Sequence, residues 1–400
     1  MRTIQPQAAI LGLGTALPPY GYTQESLSEW LSAALSKGKR GGLARRLPQL
    51  LANTGIETRY SCLPDARFTP AESSFVPDDG LGKRMSTAER MAIYQREAVP
   101  LGLAAAQAAL LDYAAAAELS SEAATASITH LIVVSCTGFF APGLEQAIAR
   151  RLGLRPTVER LLVGFMGCAA AFNGLHTANQ IARGRPDARI LVVCVELCSL
   201  HFQADTSLAD LIATSIFADG ASACLVGVPA THYTGDSLSI AGSYSALVPD
   251  TTEEMVWRIG DHGFTLNISS RIPELVAAAA PEALATLFPA PNRPEFWAIH
   301  PGGRSIIDQL EAIWGLTPAE VAPSRSVLRQ YGNMSSPTIL FVLKEIRDSL
   351  RDTAQKPSSG IAIAFGPGLV IEMAQLTYEP APSRKLEYNE EQLAAIYDLA

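Results

Sequence analysis

None of the six cysteines in this 400-residue chain (Cys62, Cys136, Cys168, Cys194, Cys198 and Cys224) forms a Cys-x-x-Cys pair. None stands at metal-ligand spacing from a histidine. A zinc site and a dithiol redox motif are therefore not expected. Most of these thiols fall in apolar stretches, which fits a reduced, cytoplasmic setting better than a disulfide framework. Charge is scarce as well. Asp, Glu, Lys and Arg make up 18% of residues and balance to −8, which argues against nucleic acid as the main partner. The first residues, Met-Arg-Thr-Ile-Gln-Pro-Gln, carry no signal-peptide pattern. No apolar run reaches the length of a membrane span; the longest, Pro100 to Leu111, is Ala-rich and reads as a buried helix.

What is present is apolar and long. Hydrophobic residues are 48% of the chain, enough for a large core in two or three domain-sized units. Short apolar runs alternate with helical patterns, which signals an α/β fold. Strands are predicted at 8–13, 130–135, 189–195, 221–228, 296–299, 361–365 and 369–376, the last two joined by the turn Gly366-Pro367-Gly368. Helices are predicted at 97–117, behind Cys168 to residue 183, and at 337–349, where Ser336 is a plausible N-cap and Pro337 suits the first helical position. The polar, Pro-rich stretch 68–80 reads as a surface loop. The stretch 227–236 is the best internal boundary, dividing the chain into halves at 1–232 and 233–400. No sequence repeat is visible, yet two similar halves, each with a layered sheet, fit the order of elements.

Cys168 carries the first chemical signal. It sits in Val163-Gly164-Phe165-Met166-Gly167-Cys168-Ala169-Ala170-Ala171-Phe172, after apolar residues and before a small-residue helix. This places a thiol at a helix N-terminus, where unpaired N–H groups and the dipole favour the nucleophilic thiolate. A packed structural cysteine is the competing reading. His300 follows a strand in Trp297-Ala298-Ile299-His300-Pro301-Gly302-Gly303. Asn333 opens a helix in Tyr331-Gly332-Asn333-Met334-Ser335-Ser336-Pro337. Alone, each is also a common structural motif. Together they make a set of nucleophile, imidazole and amide: the imidazole can pair with the thiolate, and imidazole and amide can share one carbonyl oxygen and stabilise an enolate. Lys37, Lys39, Arg40, Arg45 and Arg46 cluster where they could meet a phosphate, or form a solvated helix end.

These motifs, with Phe217-Ala218-Asp219-Gly220-Ala221 and Gly366-Pro367-Gly368, give the chain a resemblance over nearly its whole length to the type III polyketide synthases, the chalcone- and stilbene-synthase-like family of the thiolase superfamily. The related ketosynthase that initiates fatty-acid synthesis usually reads His-Gln-Ala-Asn and Gly-Asn-Thr where this chain has His-Pro-Gly-Gly and Gly-Asn-Met.

The resemblance implies a five-layer αβαβα fold made of two similar halves, and a homodimer. It implies Cys168, His300 and Asn333 as catalytic residues, acyl-CoA and malonyl-CoA as substrates, and no metal or redox cofactor. Phe217 and Leu266 match the gatekeeper positions. Cys136, Thr137, Ala141, Cys198, Trp257 and Ser335 match the acyl and product cavity, Ala141 at the position where plant members place a Met that reaches across the dimer. The small or apolar residues at 198, 141 and 266 favour a fatty starter, whereas Trp257 narrows the elongation space and implies few extensions. Arg45, Arg46 and Arg304 are the CoA-phosphate candidates; Gln49 and Asn53 stand where the family places further basic residues. The product implied is an alkylpyrone or alkylresorcinol-type compound. The alternatives are a carrier-protein-dependent ketosynthase making one condensation, with an acyl carrier protein as donor, and an inactive acyl-CoA-binding homologue.

Overall fold

A computed structural model describes residues 7–35, 47–64, 85–202, 208–231 and 233–382. Its strands are β1 (Ala9–Ala16), β2 (Tyr20–Thr23), β3 (Thr58–Ser61), β4 (His130–Ser135), β5 (Glu159–Gly164), β6 (Arg189–Leu197), β7 (Asp219–Gly227), β8 (Ser237–Leu247), β9 (Met255–Gly260), β10 (Gly263–Ile268), β11 (Phe296–Ile299), β12 (Ser358–Gly366) and β13 (Val370–Glu379). Nine of them form one sheet in the order β11-β12-β13-β8-β1-β7-β6-β4-β5.

The order is the same plan written twice. Outward from the β1–β8 junction, each half places its first strand innermost, then its last, then the one before. The pairings run antiparallel, antiparallel, parallel in both directions. The junction itself is narrow, with Ala9 opposite Ser239 and Ile10 opposite Leu238. The two halves are therefore two sheets that share one short seam.

Alternation along the strands explains the layering, because successive side chains point to opposite faces. Ile132, Val134, Ile190 and Val192 from one half, and Ala298, Ala362, Ala364 and Ala374 from the other, enclose the buried faces of two helices, Ala170–Gly184 and Thr338–Thr353. The odd-numbered residues Leu131, Val133, Leu191 and Val193 point outward onto the Thr87–Ala116 helix. Trp297, Ile299, Ile361 and Ile363 point outward onto the Ile272–Leu287 and Arg304–Trp314 helices. The result is helix, sheet, paired helices, sheet, helix. Strands covered on both faces read as continuous apolar runs, which is why β4 is visible in the sequence with the bounds it has in the structure.

Several expectations change. The Ala-rich helix begins ten residues earlier than 97. Ser86 and Glu89 form a reciprocal capping box there, and the helix runs on through Pro100. It spans 30 residues, so it is long and apolar enough to cross a membrane by length and composition, contrary to the sequence reading, but it packs as the outer helix of the first sheet. Ser336 does not cap the Thr338–Thr353 helix. Pro337 occupies the cap position, and the Ser336 hydroxyl donates instead to Glu196 at 2.7 Å. Within the boundary stretch 227–236, Asp236 is buried and accepts from Arg347 Nε at 2.9 Å. The expected loop at 68–80 lies outside the described residues.

Candidate active site

Cys168 sits in a three-residue 3₁₀ turn, Gly167–Ala169, that feeds the Ala170–Gly184 helix. Gly167 has φ +63°, and a Cβ on it would lie 2.4 Å from Pro367 Cδ. Only glycine both adopts this backbone conformation without strain and leaves room for the Gly366-Pro367-Gly368 turn. The second half of the chain thus braces the nucleophile turn of the first.

His300 leaves the end of β11 with its N–H donated to Ile363 O at 2.8 Å. Asn333 follows the Pro318–Tyr331 helix. Its N–H donates to Ile216 O (2.9 Å), and its carbonyl accepts from Ala218 N (2.9 Å), pairing it with Phe217 in an isolated bridge. The amide is oriented by two contacts: Oδ1 accepts from Ser335 N (2.8 Å), and Nδ2 donates to Gly302 O (3.1 Å). Cys168 Sγ lies 4.0 Å from this amide. Cys168, His300 and Asn333 all line one cavity of about 700 Å³.

Phe217, Leu266, Cys136, Thr137, Cys198, Trp257, Ser335 and Arg304 line the same cavity. Ala141 does not. It is exposed on the loop that follows β4, outside the wall of this chain's cavity. Arg45 and Arg46 lie outside the described residues. Arg304 is more than half exposed and has Asp308 at 3.4 Å, so any phosphate contact competes with that pairing. Leu266 stands opposite Trp257 in the β9–β10 ribbon, which the sequence reading did not include. The Trp257 indole donates to Cys136 O at 2.8 Å, and the neighbouring His201 Nε2 contacts Thr137 O at 2.7 Å. His201 Nδ1 accepts in turn from Phe264 N of the ribbon at 2.9 Å, so two consecutive carbonyls hold the ribbon, one directly and one through His201.

Glu196, the penultimate residue of β6, was missed. It is fully buried and accepts from Cys136 N (3.0 Å), Thr137 Oγ1 (2.7 Å) and Ser336 Oγ (2.7 Å), while Cys136 Sγ stands 3.3 Å away. Burial raises its pKa, and these hydrogen bonds oppose the rise. Its signal was present: a glutamate inside the apolar run Ile190-Leu191-Val192-Val193-Cys194-Val195-Glu196-Leu197 has no reason to be there except a fixed polar task.

Burial of both groups works against the expected ion pair. Burial pushes the Cys168 thiol up to about 11, although hydrogen bonds from Ser335 and Asn333 lower it. Burial also pulls His300 down to about 3. Desolvation disfavours both charged forms. Taken separately, burial favours the neutral thiol at Cys168 and the neutral imidazole at His300. A thiol with a raised pKa gains thiolate as pH rises, from roughly one part in 10⁴ at pH 7. We expect iodoacetamide modification of Cys168, followed by peptide mass spectrometry, to accelerate about tenfold per pH unit from pH 7 to 10. A profile flat from pH 6 to 8 would instead show a preformed thiolate–imidazolium pair.

A two-sheet, five-layer fold with a thiol at the start of one central helix, and an imidazole and an amide brought to it by the other half, defines the thiolase-fold condensing enzymes. Residues 2–230 match the family model for the N-terminal domain of chalcone and stilbene synthases, and residues 239–378 match the model for their C-terminal domain. The chain belongs to this family, the type III polyketide synthases. It is 32% identical over 375 residues to the alpha-pyrone synthesis polyketide synthase-like Pks18 of Mycobacterium tuberculosis, covering 91% of this chain and 90% of that protein. It is 29% identical over 381 residues to bisdemethoxycurcumin synthase of Oryza sativa subsp. japonica, covering 91% of each. The crystal structure of PKS-I from the brown alga Ectocarpus siliculosus superposes with a TM-score of 0.83 at 30% identity, covering 94% of this chain and 99% of that one.

Proposed function

We propose that this polyketide synthase extends a fatty acyl starter with malonyl-CoA and releases an alkylpyrone or alkylresorcinol-type product. The observation that carries the starter assignment is the wall of the cavity. Besides Cys198 it is lined by Leu27, Trp30, Leu31, Leu50, Leu63 and Phe202. Trp30, Leu31, Leu50 and Phe202 belong to one apolar patch. Such a wall gains about 0.8 kcal/mol per buried methylene, so each two-carbon lengthening of the starter that still fits it strengthens binding. The alpha-pyrone relative supports a pyrone-forming release.

In this reading the Cys168 sulfur attacks the acyl-CoA thioester carbonyl. Its proton passes through the His300 imidazole to the departing CoA thiolate. With burial favouring the neutral form of each group, that proton moves as the sulfur–carbon bond forms. The imidazole N–H and Asn333 Nδ2–H then hold the malonyl thioester oxygen as the C–C bond to the carboxylate breaks and CO₂ leaves. The enolate attacks the Cys168 thioester, and the Cys168 sulfur leaves as thiolate. The lengthened chain returns to Cys168 for the next round. Trp257, fastened to Cys136 O, restricts the space for growth, which favours a tri- or tetraketide.

The test is a product profile. Purified protein is incubated with malonyl-CoA and starters from acetyl- to palmitoyl-CoA, with benzoyl and coumaroyl esters alongside, and products are read by mass spectrometry. Yields peaking with long chains support the reading, and products from short or aromatic starters alone overturn it. Cys198→Phe adds a ring to the cavity that Cys168 and the apolar residues share. We expect the preferred starter to shorten by several carbons, read on the same series. An unchanged profile would remove Cys198 from the acyl path.

A further inference from the structure

Arg59 has no part in the reaction sequence above, yet its position is unusual. It lies on β3, is 6% exposed, and forms no hydrogen bond to a carboxylate among the described residues. Asp219, the acidic group that acts on it, has its oxygens committed to Ser199 N, Ser199 Oγ and Cys62 N. The Arg59 Nη1 group donates instead to two backbone carbonyls, Thr214 O (2.5 Å) and Phe217 O (2.8 Å). Both lie at the C-terminal end of the Leu208–Ile216 helix, where unpaired carbonyls and the dipole favour a cation. Burial lowers its pKa only to about 10, so it stays charged at neutral pH.

The stem of the same side chain touches the other catalytic segment. Gly332 has φ +71°, and a Cβ built there would lie 2.9 Å from Arg59 Cγ and 3.2 Å from Ile216 O. The next residue is Asn333, whose N–H and C=O pair with Ile216 O and Ala218 N on either side of Phe217. One buried cation therefore holds the backbone of Phe217 and packs against the residue that precedes Asn333.

We infer that Arg59 is a positioning residue that locks the Phe217 segment and Asn333 into one unit, so that the amide reaches the malonyl thioester oxygen only while the Phe217 segment is in place. The inference rests on the proposed role of Asn333. Freed of the clamp, the bridge loosens and the amide loses its aim, whereas Cys168, held by the Gly167–Pro367 contact, does not.

Two measurements test it on Arg59→Met, which keeps the stem and removes the charge, with Arg59→Lys as the conservative variant and as the substitute where Met does not fold. In hydrogen exchange by mass spectrometry we expect the amides of Ala218 and Asn333 to lose protection together, at least tenfold, while peptides from 168–184 are unchanged. In activity we expect CO₂ release from malonyl-CoA to fall at least tenfold in kcat with little change in KM. Acylation of Cys168 by a starter acyl-CoA should stay within about twofold, with partial recovery in the Lys variant. Loosening confined to 214–217, with Asn333 unchanged, overturns the coupling. So does an equal loss of acylation and CO₂ release in a folded variant, which would make Arg59 merely structural. A wild-type protein that releases no CO₂ would sink the functional reading instead, and the exchange data would still decide whether the clamp exists.

Discussion

Replacing Cys168 with alanine is expected to eliminate product from every starter, a loss of at least about 10³-fold. The reason is specific to this site. No other described thiol on the cavity wall can take over: Cys136 is turned to Glu196 with its pKa pushed well up, and burial raises that of Cys198 as well. The variant should fold, since alanine fills the 3₁₀ turn without disturbing Gly167 or the Pro367 contact. It should also still release CO₂ from malonyl-CoA, because His300 and Asn333 remain. Intact-protein mass spectrometry after incubation with acyl-CoA gives the primary result: an acyl adduct on wild type and none on the variant. Persistent product would refute the nucleophile assignment.

Asn333→Ala should separate the other step. It removes the Nδ2 donor aimed beside Cys168, and removal of one donor to a developing oxyanion costs about 10²–10³-fold in rate. We expect labelled CO₂ release from malonyl-CoA to fall by that factor while acylation of Cys168 stays nearly intact. The substitution also deletes the contacts to Gly302 O and Ser335 N, so a melting curve is needed beside it. Unchanged CO₂ release in a folded variant would take Asn333 out of the reaction.

The parts of this molecule that were legible in the sequence are those written in local pattern. β4 is an unbroken apolar run and has the bounds it was given. The nucleophile turn was legible from the flanking glycines and the small helix behind them. His300 and Asn333 were legible as motifs, and their meeting with Cys168 followed from the family resemblance rather than from spacing. What escaped depends on distance through space. The start of the long outer helix was an exception: Ser86 and Glu89 spell a capping box that could have been read. Ser336 looked like a cap because serine before a helix usually is one, but Glu196, 140 residues away, claims its hydroxyl. The helix N-terminus at Cys168 suggested a thiolate, and the burial that opposes it depends on the whole fold. Arg59 reads in sequence as an unremarkable strand arginine, because nothing in Thr58-Arg59-Tyr60-Ser61 reveals which carbonyls it will meet.

The doubled strand order has a consequence for how this chain can change. Each copy of the plan folds its own sheet, yet neither copy owns a whole site. The first copy supplies the thiol, the second supplies the imidazole, the amide and the Pro367 brace, and the two meet along the seam of β1 and β8, at the helix pair beneath it, and around the cavity, where Phe217 bridges Asn333 and Glu196 holds Ser336. The outer faces can drift independently, which fits two halves with one topology and no visible sequence repeat. The seam cannot. A substitution there is read by both copies at once, so the slowest-changing residues of this protein should map as a plane through its middle rather than as a patch on either half.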